Sequence, residues 1–171
     1  HWLAALQGQF GGFPRDLLVL DLETTGFSKA NDLIVSIGHV IVEDGVVADR
    51  MEAFLNWADH PGVNQVWLED KMRYTAEKMA ERGRTYQISY ADLYQKGVEP
   101  IGVLESYYQL LVEMRAAGYG FVMHNGYNFD APFLCNHFHR WLGKDLAFGD
   151  NEIWDTGVIE KASQINSIPD R

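Results

Sequence analysis

Residues 17–26 read Leu-Leu-Val-Leu-Asp-Leu-Glu-Thr-Thr-Gly, an apolar run that ends on two acids and a turn. Leu17 to Leu22 has strand length, a β-branched residue inside it and enough apolar character to be buried. Side chains alternate along a strand, so Asp21 and Glu23 share one face. A buried strand has no cheap way to carry two like charges side by side, because repulsion and desolvation raise the pKa of at least one of them. A divalent cation removes that penalty, and hard oxygen ligands suit Mg²⁺ or Mn²⁺. The plain alternative is that the strand has already ended and both carboxylates are solvated.

The rest of the chain supplies a frame for that strand. Leu33 to Val42 is rich in β-formers and runs into Glu43-Asp44-Gly45, a hairpin turn signal, so Val46 to Leu55 returns alongside it. The first part of the chain therefore reads as a three-stranded antiparallel meander. Apolar residues at 68, 72, 76 and 79 predict a helix over 66–82, stopped by Gly83. Ser89 caps a short helix through Leu93, and Pro100 opens one that runs to Ala117. Tyr119 to Met123 is a second buried strand. Asn128 is placed to cap a helix over 129–142, Ile153-Trp154 reads as a very short strand, and 156–165 as a further helix. Residues 1–9 read as a short leading helix. Strands joined through helices run parallel, so the whole is a mixed α/β sheet with helices on its faces.

The second buried strand ends in His124-Asn125-Gly126-Tyr127-Asn128-Phe129-Asp130. Strand ends of this kind commonly line the ligand crevice of such sheets. Asp130 falls in the first turn of its helix, where the helix dipole alone gives a carboxylate reason to sit. Taken with Asp21 and Glu23 it means more: two adjacent parallel strands would bring three carboxylates to one rim of the sheet. Two cations about 4 Å apart in such a rim can clamp the attacking and leaving oxygens of a phosphoryl displacement.

Composition sets limits on this reading. The net charge is −10 over 171 residues. Charge alone disfavours nucleic acid, since phosphate contacts want Lys and Arg. Clustered carboxylates filled by cations offer a way round that objection. The single cysteine, Cys135, rules out an internal disulfide, makes a Cys-based zinc site implausible and points to a reducing, cytoplasmic compartment. No stretch reaches the roughly 18 apolar residues of a membrane span, so no membrane association is expected.

Asp21-Leu22-Glu23-Thr24-Thr25-Gly26 resembles the first motif of the DnaQ-like, or DEDD, 3′→5′ exonuclease superfamily, and His124 to Asp130 resembles its second. Trp154-Asp155-Thr156 resembles the Asp-Thr that opens the next element in many members. The similarity runs over about residues 17 to 165. It implies a ribonuclease-H-like fold with a five-stranded sheet of order 3-2-1-4-5. It implies that Asp21 and Glu23 bind two catalytic Mg²⁺ or Mn²⁺ ions and that Asp130 supports the second. It also implies that Thr24, Thr25 and Gly26 meet the 3′-terminal nucleotide, with Phe27 as a base-stacking neighbour. Asn125 would touch either the substrate or the turn of the second motif. The implied activity is hydrolysis of terminal phosphodiester bonds at the 3′ ends of single-stranded DNA or RNA, releasing 5′ nucleotides.

The family's third motif, an Asp preceded by His or Tyr at fixed spacing, is not found. After Asp155 the only acids are Glu160 and Asp170, and only Asp170 falls late enough, with no His or Tyr ahead of it. The chain therefore reads as a single exonuclease domain over residues 1–171 whose third motif lies beyond it, and the general base is unassigned. His39 and Asp44 have the right spacing, but they lie in the second strand and its turn and read as structural. His137 and His139 read as packing or surface residues. Three rivals stand beside the nuclease: a degenerate relative that binds nucleic acid or a protein partner without cutting, a two-metal hydrolase of small phosphorylated molecules, and a purely structural interaction domain. Homodimerisation and a polymerase or repair partner leave no mark in the sequence, nor does DNA against RNA.

Overall fold

The structure, a computed structural model, describes residues 14–86 and 88–157. At its centre lies β1 (Leu17–Thr24), antiparallel to β2 (Ile34–Glu43) and parallel to β4 (Gly120–Met123). β3 (Val46–Phe54) pairs antiparallel with β2, and β5 (Ile153–Asp155) pairs parallel with β4. The strand order is β3-β2-β1-β4-β5, the mixed ribonuclease-H-like sheet expected from the sequence. Asp44 and Gly45, both at positive φ, make the tight β2–β3 turn.

Four helices follow the meander in the described chain. α1 (Gln65–Glu81) starts at Asn64, whose side chain accepts from the Trp67 N–H. α2 (Tyr90–Lys96) opens on a full capping box between Ser89 and Asp92 and runs three residues past the expected end. α3 (Pro100–Ala116) has Pro100 in its first turn and leaves through Gly118 at φ +82°. α4 (Asp130–His137) passes into one π-helical turn, Phe138–Leu142, and stops at Gly143. Asn128 does not cap α4. The residue ahead of the helix is Phe129, without a side-chain cap, and the Asn128 amide donates instead to the Asn125 side chain at 3.0 Å.

Alternation along β1 sorts its two faces. Leu18, Leu20 and Leu22 join the main core with Leu68 and Met72 of α1, Leu93 of α2, Leu104 and Leu111 of α3, and Phe133 and Leu134 of α4. Burying such side chains at about 25 cal/mol per Å² is what fixes β1 in place. The opposite face carries a smaller apolar patch of Leu17 and Val122, flanked by Val19, Val42 and Trp154. Asp21 and Glu23 belong to that second face. The helix expected over residues 1–9, the segment beyond Gly157 and Asp170 lie outside the described residues.

Candidate active site

Asp21 and Glu23 sit at the C-terminal end of β1 with exposed side chains on the same face. Exposed as residues, they nonetheless have carboxyl groups partly screened from water, which raises both pKa values. Asp21 raises Glu23 further, and Glu52 raises each. Asp130 is 3% exposed, and its pKa is pushed up to about 7 by burial first and by Asp21 second. The backbone N–H groups of Asp130 and Leu22 pull the other way. Asp21 thus acts electrostatically on both Glu23 and Asp130.

The cost of this arrangement is not met by any protein cation. Among the described residues, no ion pair involves Asp21, Glu23 or Asp130. His124, whose Nδ1 lies 3.0 Å from the Thr156 hydroxyl, is the one neighbour that lowers the Asp21 pKa, and it does so only as a minor partner. Hard carboxylate oxygens that repel one another suit Mg²⁺ or Mn²⁺ in chemistry. In geometry the fit is looser: among the described residues no three His, Cys, Asp or Glu side chains are gathered closely enough to form a ready metal cage.

The turn after β1 is built for close approach. Thr24 donates to the Gly26 carbonyl at 2.6 Å. Thr25 donates to Asp32 and accepts from the Leu33 N–H, each at 3.0 Å. Both hydroxyls thus donate inside the loop, while the Phe27 side chain is exposed. A Cβ on Gly26 would stand 2.5 Å from an Asp32 carboxylate oxygen, so only glycine fits over that buried acid. Asp32 is held in turn by the Ser28 N–H and by Lys71. Two side chains from elsewhere pin the backbone. The Tyr86 hydroxyl, kept protonated by burial and by the charges of Glu23 and Asp32, donates to the Thr24 carbonyl at 2.8 Å. Thr75 of α1 donates to the Thr25 carbonyl at 2.5 Å.

The second motif folds as a turn with Asn125 in the left-handed region at φ +56°. Its N–H donates to Asp155 at 2.8 Å, and its side chain accepts from Asn128. Of the two roles open to Asn125, the structure shows the turn. Asp155 also accepts from the Gly157 N–H and adds to the charge that raises Asp130. Phe27, 70% exposed, meets Phe129 edge-on at 6.1 Å, beside Asp130.

His39, His137 and His139 have partners within the fold. His39 lies 2.9 Å from the Tyr107 hydroxyl, His137 is buried beneath β2, and His139 pairs with Asp145 on the surface. The residue that sequence reasoning missed is Glu52. It stands across Gly38 from Asp21 because β1 aligns Asp21 with Gly38 and β3 aligns Glu52 with Gly38. That register, with no side chain on Gly38 to intervene, is its only signal.

No protein-family model matches the chain. Over 51 residues, 30% of this chain, it is 39% identical to the DNA polymerase III PolC-type of Clostridium perfringens, of which the match spans 4%. A similar match of 40% over 53 residues is found with the PolC-type polymerase of Caldanaerobacter subterraneus, of which it spans 3%. Among solved structures, E. coli exonuclease I in complex with a 5cy-dA13 oligonucleotide superposes with a TM-score of 0.64 at 16% identity, over 88% of this chain and 30% of the other. Its zinc-bound complex with single-stranded DNA gives 0.63 at 15% identity, over 87% and 29%. The chain spans about a third of exonuclease I and a few percent of the polymerases. The expected resemblance to DnaQ-like exonucleases is thus present, in fold over most of the chain and in sequence over a shorter stretch.

Proposed function

We propose that the protein is a two-metal-ion 3′→5′ exonuclease that removes 5′ nucleotides one at a time from single-stranded DNA or RNA. The observation that supports this reading is that Asp21 raises the pKa of both Glu23 and Asp130, with none of the three in an ion pair among the described residues, on a sheet that superposes on exonuclease I. In this reading Asp21 and Glu23 hold Mg²⁺ or Mn²⁺ and Asp130 supports the second ion. When bound, the ions supply a water of lowered pKa and positive charge for the leaving 3′ oxygen. Asp130, whose pKa is about 7, must give up its proton before it can serve as a ligand. Gly26 lets the terminal nucleotide come against the backbone, and Phe27 offers a face to its base, a contact that tolerates every sequence. Asn125 serves by holding the turn that delivers Asp130. Exonuclease I has been solved with single-stranded DNA and with zinc, which supports the same kind of substrate and a metal requirement here.

The test is a 5′-labelled single-stranded oligonucleotide incubated with the protein and Mn²⁺. A ladder shortening from the 3′ end is expected, and Asp21→Asn should abolish it while leaving the circular dichroism spectrum and melting temperature near wild type. Undiminished shortening by Asp21→Asn would sink the proposal. Binding of the oligonucleotide without shortening, whichever divalent ion is supplied, would favour a domain that holds nucleic acid without cutting it.

A further inference from the structure

A second feature adjoins the turn that follows β1. Between the Gly26–Phe27 turn and α1 lies a cleft of about 210 Å³, whose lining includes Gly26, Phe27, Lys71, Tyr74, Lys78 and Arg82. Every charged side chain lining it is a cation, in a chain whose net charge is −10. Lys71, Tyr74, Lys78 and Arg82 follow one another at helical spacings of three and four, so they form one stripe along α1. The Thr75 bond to the Thr25 carbonyl presses that stripe against the turn. Lys71 is partly spent on the buried Asp32, and Lys78 pairs with Glu81 at the surface. Exposed pairs of the second kind are weak and exchange readily for a phosphate. Tyr74 is 54% exposed with Lys78 5.7 Å from its ring centre. Phe27 therefore belongs to two environments: its ring meets Phe129, and it also lines the cationic, aromatic cleft.

We propose that this cleft binds the nucleotides upstream of the terminal one, taking phosphates on Lys78 and Arg82 and a base on Tyr74. Single-stranded nucleic acid is the ligand that needs both a run of cations and an open aromatic face. The inference rests on the exonuclease reading for which end of the strand enters, though binding itself needs no catalysis. It explains how an acidic protein can hold a polyanion: charge is sorted locally, with carboxylates where ions belong and cations where phosphates pass. It further requires that strands of three or more nucleotides be preferred over a substrate too small to cross Phe27.

The experiment measures the affinity of a fluorescent twelve-nucleotide oligothymidylate in EDTA at several salt concentrations, alongside Mn²⁺-dependent hydrolysis of the p-nitrophenyl ester of thymidine 5′-phosphate. Lys78→Gln/Arg82→Gln should weaken the oligonucleotide about tenfold and lower the slope of log affinity against log salt by about 1.4. Tyr74→Ala should weaken it about five- to a hundredfold, the range of one lost base–aromatic stack. Hydrolysis of the ester should be unchanged in both. Arg73→Gln/Lys96→Gln, which removes the same charge outside the cleft, should leave affinity near wild type. Wild-type affinity and slope in Lys78→Gln/Arg82→Gln would overturn the proposal, as would an equal loss in Arg73→Gln/Lys96→Gln. Failure of the wild type to cleave either substrate would count against the nuclease instead, with the EDTA measurement still deciding the cleft.

Discussion

The Nε2 of His137 accepts a hydrogen bond from the backbone N–H of Ile34 at 3.1 Å, joining the last residue of α4 to the first of β2. Its Nδ1 lies 2.9 Å from the Phe133 carbonyl, so the ring is neutral with its proton on Nδ1. Because α4 begins with Asp130, this one bond helps set where that carboxylate sits.

A pH dependence of folding follows. Burial pushes the His137 pKa down to about 4 from 6.5. A lowered folded value means the stabilisation is complete above pH 6.5 and is lost as pH falls toward 4, at about 1.4 kcal/mol per unit. His137→Leu should remove that slope and, by leaving the Ile34 N–H buried without a partner, cost about 1–3 kcal/mol at pH 7.5. Urea unfolding in EDTA across pH 4–8, compared between wild type and variant, checks both.

Asp130 behaves oppositely. Its folded pKa, near 7, lies above the ordinary carboxylate value, so ionisation destabilises the metal-free fold, fully above pH 7 and progressively less below it. Asp130→Asn should raise the melting temperature in EDTA by several degrees at pH 8 and by less at pH 5, while abolishing Mn²⁺-dependent shortening. An equal gain at both pH values would contradict the assignment.

Glu52 should tune ion affinity without touching substrate. Its charge raises Asp21 and Glu23, so Glu52→Gln relaxes both toward ordinary acidity and weakens the field that draws cations. The Mn²⁺ concentration for half-maximal activity should rise about two- to fivefold, with the rate at saturating Mn²⁺ nearly unchanged. A Mn²⁺ titration of initial rates reads this directly.

Gly26→Ala tests the turn. The added methyl would stand 2.5 Å from Asp32, a buried acid held by Thr25, Ser28 and Lys71, and so unable to move cheaply. A loss of about 1–3 kcal/mol in urea unfolding is expected, with a larger proportional loss of activity than of stability.

The sheet was largely legible in the sequence because its signals are local: the apolar run of β1, the Asp44-Gly45 turn, and Gly118 after α3. Asp21 and Glu23 share a face by alternation alone. What escaped depends on partners distant in sequence. Asn128 has the composition of a helix cap, but Asn125 adopts positive φ and takes its amide instead. The partners that take the Thr24 and Thr25 hydroxyl protons, the Gly26 carbonyl and Asp32, likewise leave no mark in the local pattern. Glu52 reaches the site only through the β2–β3 register, which shifts between Ile41 and Val42. A period of two says which face a residue occupies and nothing about who stands opposite.

β1 pairs with β2 along its length but with β4 only over Leu17–Val19, so the stretch that carries Asp21 and Glu23 has a strand partner on one edge alone. A strand end held from one side can open while the remainder stays intact. The two acids should therefore lose their arrangement before the whole domain melts, and amide exchange at Asp21 and Glu23 should run ahead of that at Leu18 and Val19.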